Sequence, residues 1–113
     1  MKASYKRRWI KALKSGQYEL HQDEGMFRVD DTYNIMAVLY DINLHEINLT
    51  WRVNNIVYGQ KYWYLGLPGD FFIEINLFWD NIELSYEDRV SISEEGVPTM
   101  NSEEAAHWIE DNL

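Results

Sequence analysis

Three histidines are the residues best suited to metal binding or acid–base chemistry, and their spacing favours neither. His21, His45 and His107 lie far apart, and none belongs to an HExxH or HxxxH pair that would place two ligands on one helix face. The chain has no cysteine, which excludes disulfides, thiolate ligands and thiol nucleophiles. We therefore expect neither a metal ion nor a cofactor.

Carboxylates are abundant and occur as six adjacent pairs: Asp23/Glu24, Asp30/Asp31, Glu87/Asp88, Glu94/Glu95, Glu103/Glu104 and Glu110/Asp111. Two carboxylates divide acid and base roles only when burial raises the pKa of one of them, and these pairs stand in polar surroundings. The glycine-rich phosphate, dinucleotide and nucleophile-elbow motifs are absent. The sequence therefore predicts a protein that is not an enzyme. A pocket holding a carboxylate of perturbed pKa would be the observation that favours catalysis.

Charge is distributed unevenly along the chain, whose formal net charge is −9. Residues 1–18 hold six cations and no acid, whereas residues 70–113 hold twelve acids and one base, Arg89. Acidity can keep an aromatic-rich domain soluble, or it can favour a partner with a basic surface and repel nucleic acid. On the second interpretation eight acidic residues are the candidates for partner binding: Glu87, Asp88, Glu94, Glu95, Glu103, Glu104, Glu110 and Asp111.

The N-terminal cations belong to a predicted amphipathic helix over residues 3–14. Tyr5, Trp9 and Leu13 recur at helical spacing and predict a buried stripe anchored by Trp9. Gly16 is placed to end the helix. The basic face is either a solvated surface or an element that binds nucleic acid or a membrane surface.

The segment after this helix is predicted to begin with a hairpin. Residues 18–20 and 26–29 flank a glycine-containing turn at 22–25. Residues 30–32, which are Asp, Asp and Thr, are N-cap candidates for the apolar segment 33–42. Periodicity alone allows that segment as a buried strand or a buried helix.

Strand-forming residues dominate the stretch from 49 to 65. An Asn54-Asn55 turn in its middle predicts a small antiparallel sheet. Residues 67–70 break the pattern, and residues 71–79 fit either a strand or a short helix.

Capping signals predict two further helices. Ser85 is placed to cap a helical turn, and Asn101 with Glu104 resembles a capping box at the start of a C-terminal helix. The length fits one domain over residues 1–113. The predicted fold class is α+β, with N-terminal, middle and C-terminal helices packed on a small antiparallel sheet.

The opening of the chain resembles that of a known group of proteins. Residues 8–18 are similar to the W-x-x-A-L-[RK]-S-G-x-Y opening of small uncharacterised proteins of bacteriophages and prophages, and residues 33–41 to their Y-C-C-L-G-V-L-C-D stretch. The cysteines of that group are replaced here by other residues: Asn34, Ile35 and Tyr40. The resemblance therefore implies no redox or metal role. It implies a phage gene product that works inside a bacterial cell, and it favours helix for residues 32–42.

Taken together, these features predict a small acidic protein-binding accessory factor, phage-encoded, that regulates or inhibits a host protein in the host cytoplasm. Its acidic surface would imitate nucleic-acid phosphates in a basic groove. No secretory signal or bilayer-length apolar run is present in the sequence, so no membrane role is expected. Seventeen aromatic rings exceed what a small core holds, which predicts an exposed aromatic patch. The alternatives are nucleic-acid binding through the basic helix, which the net charge opposes, and a minor virion or assembly component.

Overall fold

The computed structural model describes residues 1–21, 28–66, 71–94 and 96–113. Within these residues the chain forms six α-helices: α1 (Ala3–Lys14), α2 (Ile35–Asp41), α3 (Leu44–Ile47), α4 (Phe71–Ile82), α5 (Tyr86–Glu94) and α6 (Ser102–Asn112). It also forms five β-strands: β1 (Glu19–Leu20), β2 (Arg28–Val29), β3 (Thr32–Tyr33), β4 (Thr50–Val57) and β5 (Gln60–Gly66). A short 3-10 helix over Val97–Thr99 lies between α5 and α6.

The strands form one sheet in the order β1-β3-β2-β5-β4. The pairs β3–β2, β2–β5 and β5–β4 are antiparallel, whereas β1 joins β3 in parallel. The α+β class is therefore confirmed, and the sheet is mixed at one edge. Strand β4 forms the other edge.

The hairpin predicted between residues 18–20 and 26–29 is wrong in its pairing. Strand β1 pairs with β3, and the hairpin joins β2 to β3 through the turn Asp30-Asp31. Asp30 adopts a left-handed backbone (φ 50°), which aspartate tolerates better than most residues. The predicted turn at 22–25 lies outside the described residues.

The apolar segment after this hairpin is a helix, but its predicted caps are wrong. Asp30, Asp31 and Thr32 belong to the β2–β3 turn and to β3, so the helix begins only after them. The N-cap of α2 is Asn34, whose side chain accepts a hydrogen bond of 2.7 Å from the backbone N–H of Ala37.

The predicted turn at Asn54-Asn55 is also wrong, because both residues lie within β4. The turn that joins β4 to β5 is Tyr58-Gly59, where φ is +50° and +80°. Two positive φ angles define the hairpin turn that matches strand twist best. Asn54 has no partner across the pair and forms a β-bulge beside Val53.

Helix α2 lies at the centre of the core. Its residues from Ile35 to Tyr40 are all buried, which explains why the sequence shows no polar face there. Trp9 is fully buried, as predicted, and its indole Nε1 donates a 3.0 Å hydrogen bond to the carbonyl of Ile35. Strand β5 adds Leu65 to the core, and the other α-helices add further residues, including Ile75, Phe78, Ile82, Ile92, Ala105 and Ile109.

Both helices predicted from capping signals are confirmed, and the segment that fitted either a strand or a helix is a helix. Residues 71–79 belong to the helix α4, not to a strand. The side chain of Ser85 accepts a hydrogen bond from the backbone of Asp88, at 3.1 Å, and so caps α5. Asn101 and Glu104 form both hydrogen bonds of a capping box at the start of α6.

Candidate functional site

Side chains that could bind a metal ion are not clustered in the part of the chain that the structure describes. No group of three or more histidine, aspartate or glutamate side chains there is arranged to hold a metal ion. His45 and His107 are exposed on different helices. His45 lines a shallow groove with Leu44, Asn48 and Leu49, in which the described lining includes no second titratable side chain.

One half-buried carboxylate, that of Asp41, has a structural role. It accepts hydrogen bonds from the hydroxyl of Tyr18 at 2.5 Å and from the indole Nε1 of Trp51 at 2.8 Å. Burial and then the hydrogen bond to Asp41 raise the pKa of Tyr18 well above its ordinary value. Asp41 thereby joins α2 to the segment after α1 and to β4.

A second polar cluster joins three helices at the surface. The hydroxyl of Tyr5 donates to the carboxylate of Glu46, and the amide of Asn81 donates to that carboxylate at 2.8 Å. The hydrogen bond to Glu46 is the main cause of the raised pKa of Tyr5. The cluster connects α1, α3 and α4.

Most of the eight acidic candidates are solvent-exposed on α5 and α6. Asp88 is half-buried, and Glu95 lies outside the described residues. The exposed ones are Glu87, Glu94, Glu103, Glu104, Glu110 and Asp111.

Four of the candidates also have a local role in helix stability. Glu87 and Asp88 lie in the first turn of α5, and Glu103 and Glu104 in the first turn of α6. Carboxylates are favourable there because the helix dipole is positive at its N-terminus. Glu104 in addition accepts a hydrogen bond from the backbone N–H of Asn101, at 3.2 Å.

The basic and acidic ends of the sequence meet in space where α1 packs against α6. The ammonium group of Lys6 donates to the backbone carbonyl of Glu110 at 2.9 Å. A groove along this seam is lined by cationic, apolar and acidic residues: Ala3, Lys6, Arg7, Ile10, Lys11, Lys14 and Glu110. Basic residues of α1 therefore line the same groove as Glu110.

Four other exposed candidates take no part in the capping box or the groove, and we call them the acidic face: Glu87, Glu94, Glu103 and Asp111. Glu87 and Glu94 stand at i and i+7 on α5, and Glu103 and Asp111 at i and i+8 on α6, so each pair lies on one side of its helix. None of these four carboxylates has a cationic group of the described residues within 4 Å. The ion pair found among those residues joins Arg28 and Asp31.

The hairpin of β4 and β5 carries a surface that the sequence did not reveal. We call residues 52–61 the arm. Ile56 is 64% exposed and Tyr58 at the turn is fully exposed, while Val53 and Val57 are also exposed. The strand-forming composition of this segment predicted a small antiparallel sheet with helices packed on it, but only the root of the hairpin is covered. Residues 47–69 contain no acid at all, and this was the one signal in the sequence that set the segment apart.

The root of the arm is fixed by stacking on Arg28. Its guanidinium carbon lies 4.3 Å from the ring centroid of Trp63, 4.8 Å from that of Tyr33 and 5.6 Å from that of Trp51. Such cation–π contacts hold the sheet below the arm together. Two tyrosines of the hairpin are exposed, Tyr58 at the turn and Tyr64 on β5.

Helix α4 presents a second exposed apolar surface, which we call the ridge. Ile73, Leu77 and Asp80 follow each other at i, i+4 and i+7 and so share one helix face. Ile73 is 57% and Leu77 61% exposed, and Asp80 is exposed in the last turn. No basic residue lies in that turn to compensate the carboxylate at the negative end of the helix dipole.

None of the helices in the described ranges is long and apolar enough to cross a membrane. No curated protein and no solved structure matches the chain significantly. One family does, with residues 1–112 matched, and its description is Domain of unknown function (DUF8296). Since the match spans nearly the whole sequence, the chain belongs to this DUF8296 family.

Proposed function

We propose that this protein is a small phage-encoded accessory factor that binds a host protein in the host cytoplasm and regulates or inhibits it without catalysis. The resemblance of residues 8–18 to small phage and prophage proteins supports the origin. The acidic face supports the mode of action.

The observation that carries the proposal is the acidic face itself. Its four carboxylates are exposed and have no cation partner among the described residues. The same half of the chain, residues 70–113, carries twelve acids against one base. A partner with a basic surface would gain from this field both in association rate and in selectivity.

A partner whose basic groove normally holds nucleic acid fits this chemistry best. Exposed carboxylates would replace phosphates, from which nucleic-acid-binding proteins gain much of their affinity. The protein and the nucleic acid would then compete for the groove.

Capture of partners from a lysate of the bacterial host tests the proposal. Three baits are compared: the wild type, an acid-reversal variant (Glu87→Lys, Glu103→Lys and Asp111→Lys) and a base-reversal variant (Arg7→Glu, Lys11→Glu and Lys14→Glu). Glu104 is left intact because it belongs to the capping box of α6. Lys6 is left intact because it joins α1 to α6.

We expect a specific host protein on the wild type and on the base-reversal bait, and its loss from the acid-reversal bait. Added DNA or RNA should release it. Retention by the acid-reversal bait and loss from the base-reversal bait would contradict the role of the acidic face.

One observation favours a second function, nucleic-acid binding through α1. Four of its cations line the groove beside Ile10: Lys6, Arg7, Lys11 and Lys14. A gel-shift assay with a salt titration tests this function. The logarithm of the affinity for duplex DNA falls as the logarithm of the salt concentration rises, and each phosphate contact makes this slope steeper by about 0.9. Binding that the base-reversal variant loses would favour this function over the first.

A further inference from the structure

We propose that the arm of one copy of this protein docks on the ridge of a second copy. The proposal goes beyond the acidic face, because it uses different residues and a different partner.

The exposed apolar residues of the described chain concentrate on these two surfaces. Eight large apolar side chains are exposed: Val53, Ile56, Val57, Tyr58, Tyr64, Ile73, Leu77 and Tyr86. Five belong to the β4–β5 hairpin and two to the ridge. Apolar surface gathered in this way on a small domain indicates a contact with another protein.

The bulge at Asn54 gives the arm one apolar face. In the strand register Val53 lies opposite Trp63, and Ile56 lies opposite Lys61. Trp63 and Lys61 are two residues apart on β5 and therefore project from the same face. Val53, Ile56 and Lys61 consequently share that face, although without the bulge Val53 and Ile56 would point to opposite sides.

This face has the same composition and spacing as the ridge, with the charge reversed. Two strand positions of one face are about 6.6 Å apart, and Ile73 and Leu77 are separated by about 6 Å along the helix axis. Each surface thus offers two aliphatic side chains at matching spacing. The arm adds the ammonium of Lys61, and the ridge adds the carboxylate of Asp80.

Charge favours a cationic occupant for the ridge. Asp80 lies at the negative end of the α4 dipole with no basic residue in its turn. Arg89 stacks on the neighbouring Trp79 at 3.7 Å but forms no ion pair with Asp80 within the described residues, so a cation from another chain would add that pair. The arm is the suitable source, because residues 47–69 contain Arg52 and Lys61 and no acid. The backbone N–H of Lys61 donates to Asp30 at 2.8 Å, while its side chain remains exposed.

The alternative way for two copies to meet, edge-to-edge pairing of β4 with β4, is disfavoured. The bulge at Asn54 interrupts the edge strand at its middle, and bulges hinder strand addition at sheet edges. Docking of arm on ridge leaves the edge unpaired. If the two copies exchange arms reciprocally, the arm–ridge contact forms twice, related by a two-fold axis.

Sedimentation velocity of the purified full chain tests the proposal, over loading concentrations from about 1 to about 200 µM. The wild type should form dimers. Ile56→Asp on the arm and Leu77→Asp on the ridge should each weaken association at least about tenfold. Tyr86→Asp, at an exposed apolar position outside both surfaces, is the matched control and should leave it unchanged. Circular dichroism verifies that each variant is folded.

A charge exchange makes the test independent of simple loss of apolar surface. Lys61→Glu and Asp80→Lys should each weaken association, and the double variant should regain it, because the ion pair is restored in reverse. A monomeric wild type over the whole range overturns the proposal. A dimer that survives Leu77→Asp also overturns it, because edge pairing of β4 would not need the ridge. A double variant that associates as weakly as the single variants overturns it as well.

Discussion

At the scale of single residues, Trp9 connects the sequence pattern to the core most directly. Its ring is fully buried and its Nε1 donates to the carbonyl of Ile35. Trp9→Ala should lower the free energy of unfolding by about 3–5 kcal/mol through the cavity left behind. Trp9→Phe should cost less, since it keeps part of the packing and loses the hydrogen bond. Urea denaturation measures both, and a Trp9→Ala variant as stable as the wild type would contradict the packing of α1 on α2.

The tyrosines with raised pKa predict a loss of stability at alkaline pH. The pKa of Tyr18 is raised in the folded protein by burial and then by its hydrogen bond to Asp41, and that of Tyr40 is raised by burial. Above about pH 10 the unfolded chain loses these protons while the folded protein retains them, so the free energy of unfolding falls as pH rises. Below that pH the stabilisation is fully present.

Tyr18→Phe should therefore reduce the decline in stability between about pH 9 and about pH 11 without abolishing it, because Tyr40 remains. Urea titrations at several pH values measure the slope. Tyr64→Phe, at an exposed position, is the control. An unchanged slope in Tyr18→Phe would show that the Tyr18 hydroxyl is not buried against Asp41 as described.

At the scale of elements, the capping box of α6 gives a local prediction. Asn101→Ala removes the acceptor for the Glu104 N–H at 2.9 Å and should cost about 1 kcal/mol of stability. Glu103→Ala, in the same turn but outside the capping box, should cost less than that. Thermal and urea unfolding of the two variants compare them. Equal losses would mean that the dipole, not the cap, sets the stability of this terminus.

Elements with local signals were predictable from the sequence, and elements set by long-range contacts were not. Helix α1 carries an amphipathic stripe followed by Gly16, and α6 begins with a capping box, so the bounds of α1 and the start of α6 followed directly. The nature of α2 stayed open because it is buried on every side and therefore lacks periodicity. The parallel pairing of β1 with β3 depends on contacts between segments, and the bulge at Asn54 replaced the expected turn because Tyr58-Gly59 supplies the positive φ angles.

The same distinction holds for the candidate surfaces. Exposure of the acidic residues could be predicted because charged side chains are rarely buried. The contact of Lys6 with Glu110 could not, since it joins residues from opposite ends of the chain. The arm and the ridge were missed because Ile56 and Leu77 are of residue types that are usually buried. Only the packing shows that nothing in the described chain covers them.

At the scale of the whole molecule, the uneven charge predicts that partner association depends on salt. The acidic face would attract a basic partner from a distance that shortens as salt is added. At about 0.15 M salt, the field of an exposed charge is screened within about 8 Å. Docking of arm on ridge buries mainly apolar side chains, and we expect self-association to change much less with salt. Sedimentation at low and high salt separates the two, and self-association lost at high salt would place it on charged surfaces instead.

The association rate of the purified protein with its captured host partner, measured from low to high salt, tests the central claim most directly. The wild type and the base-reversal variant should bind fast at low salt and progressively more slowly as salt rises. The acid-reversal variant should bind slowly at every salt concentration. A fast, salt-sensitive rate for the acid-reversal variant, together with a slow rate for the base-reversal variant, would contradict the claim that the acidic face of α5 and α6 binds the partner.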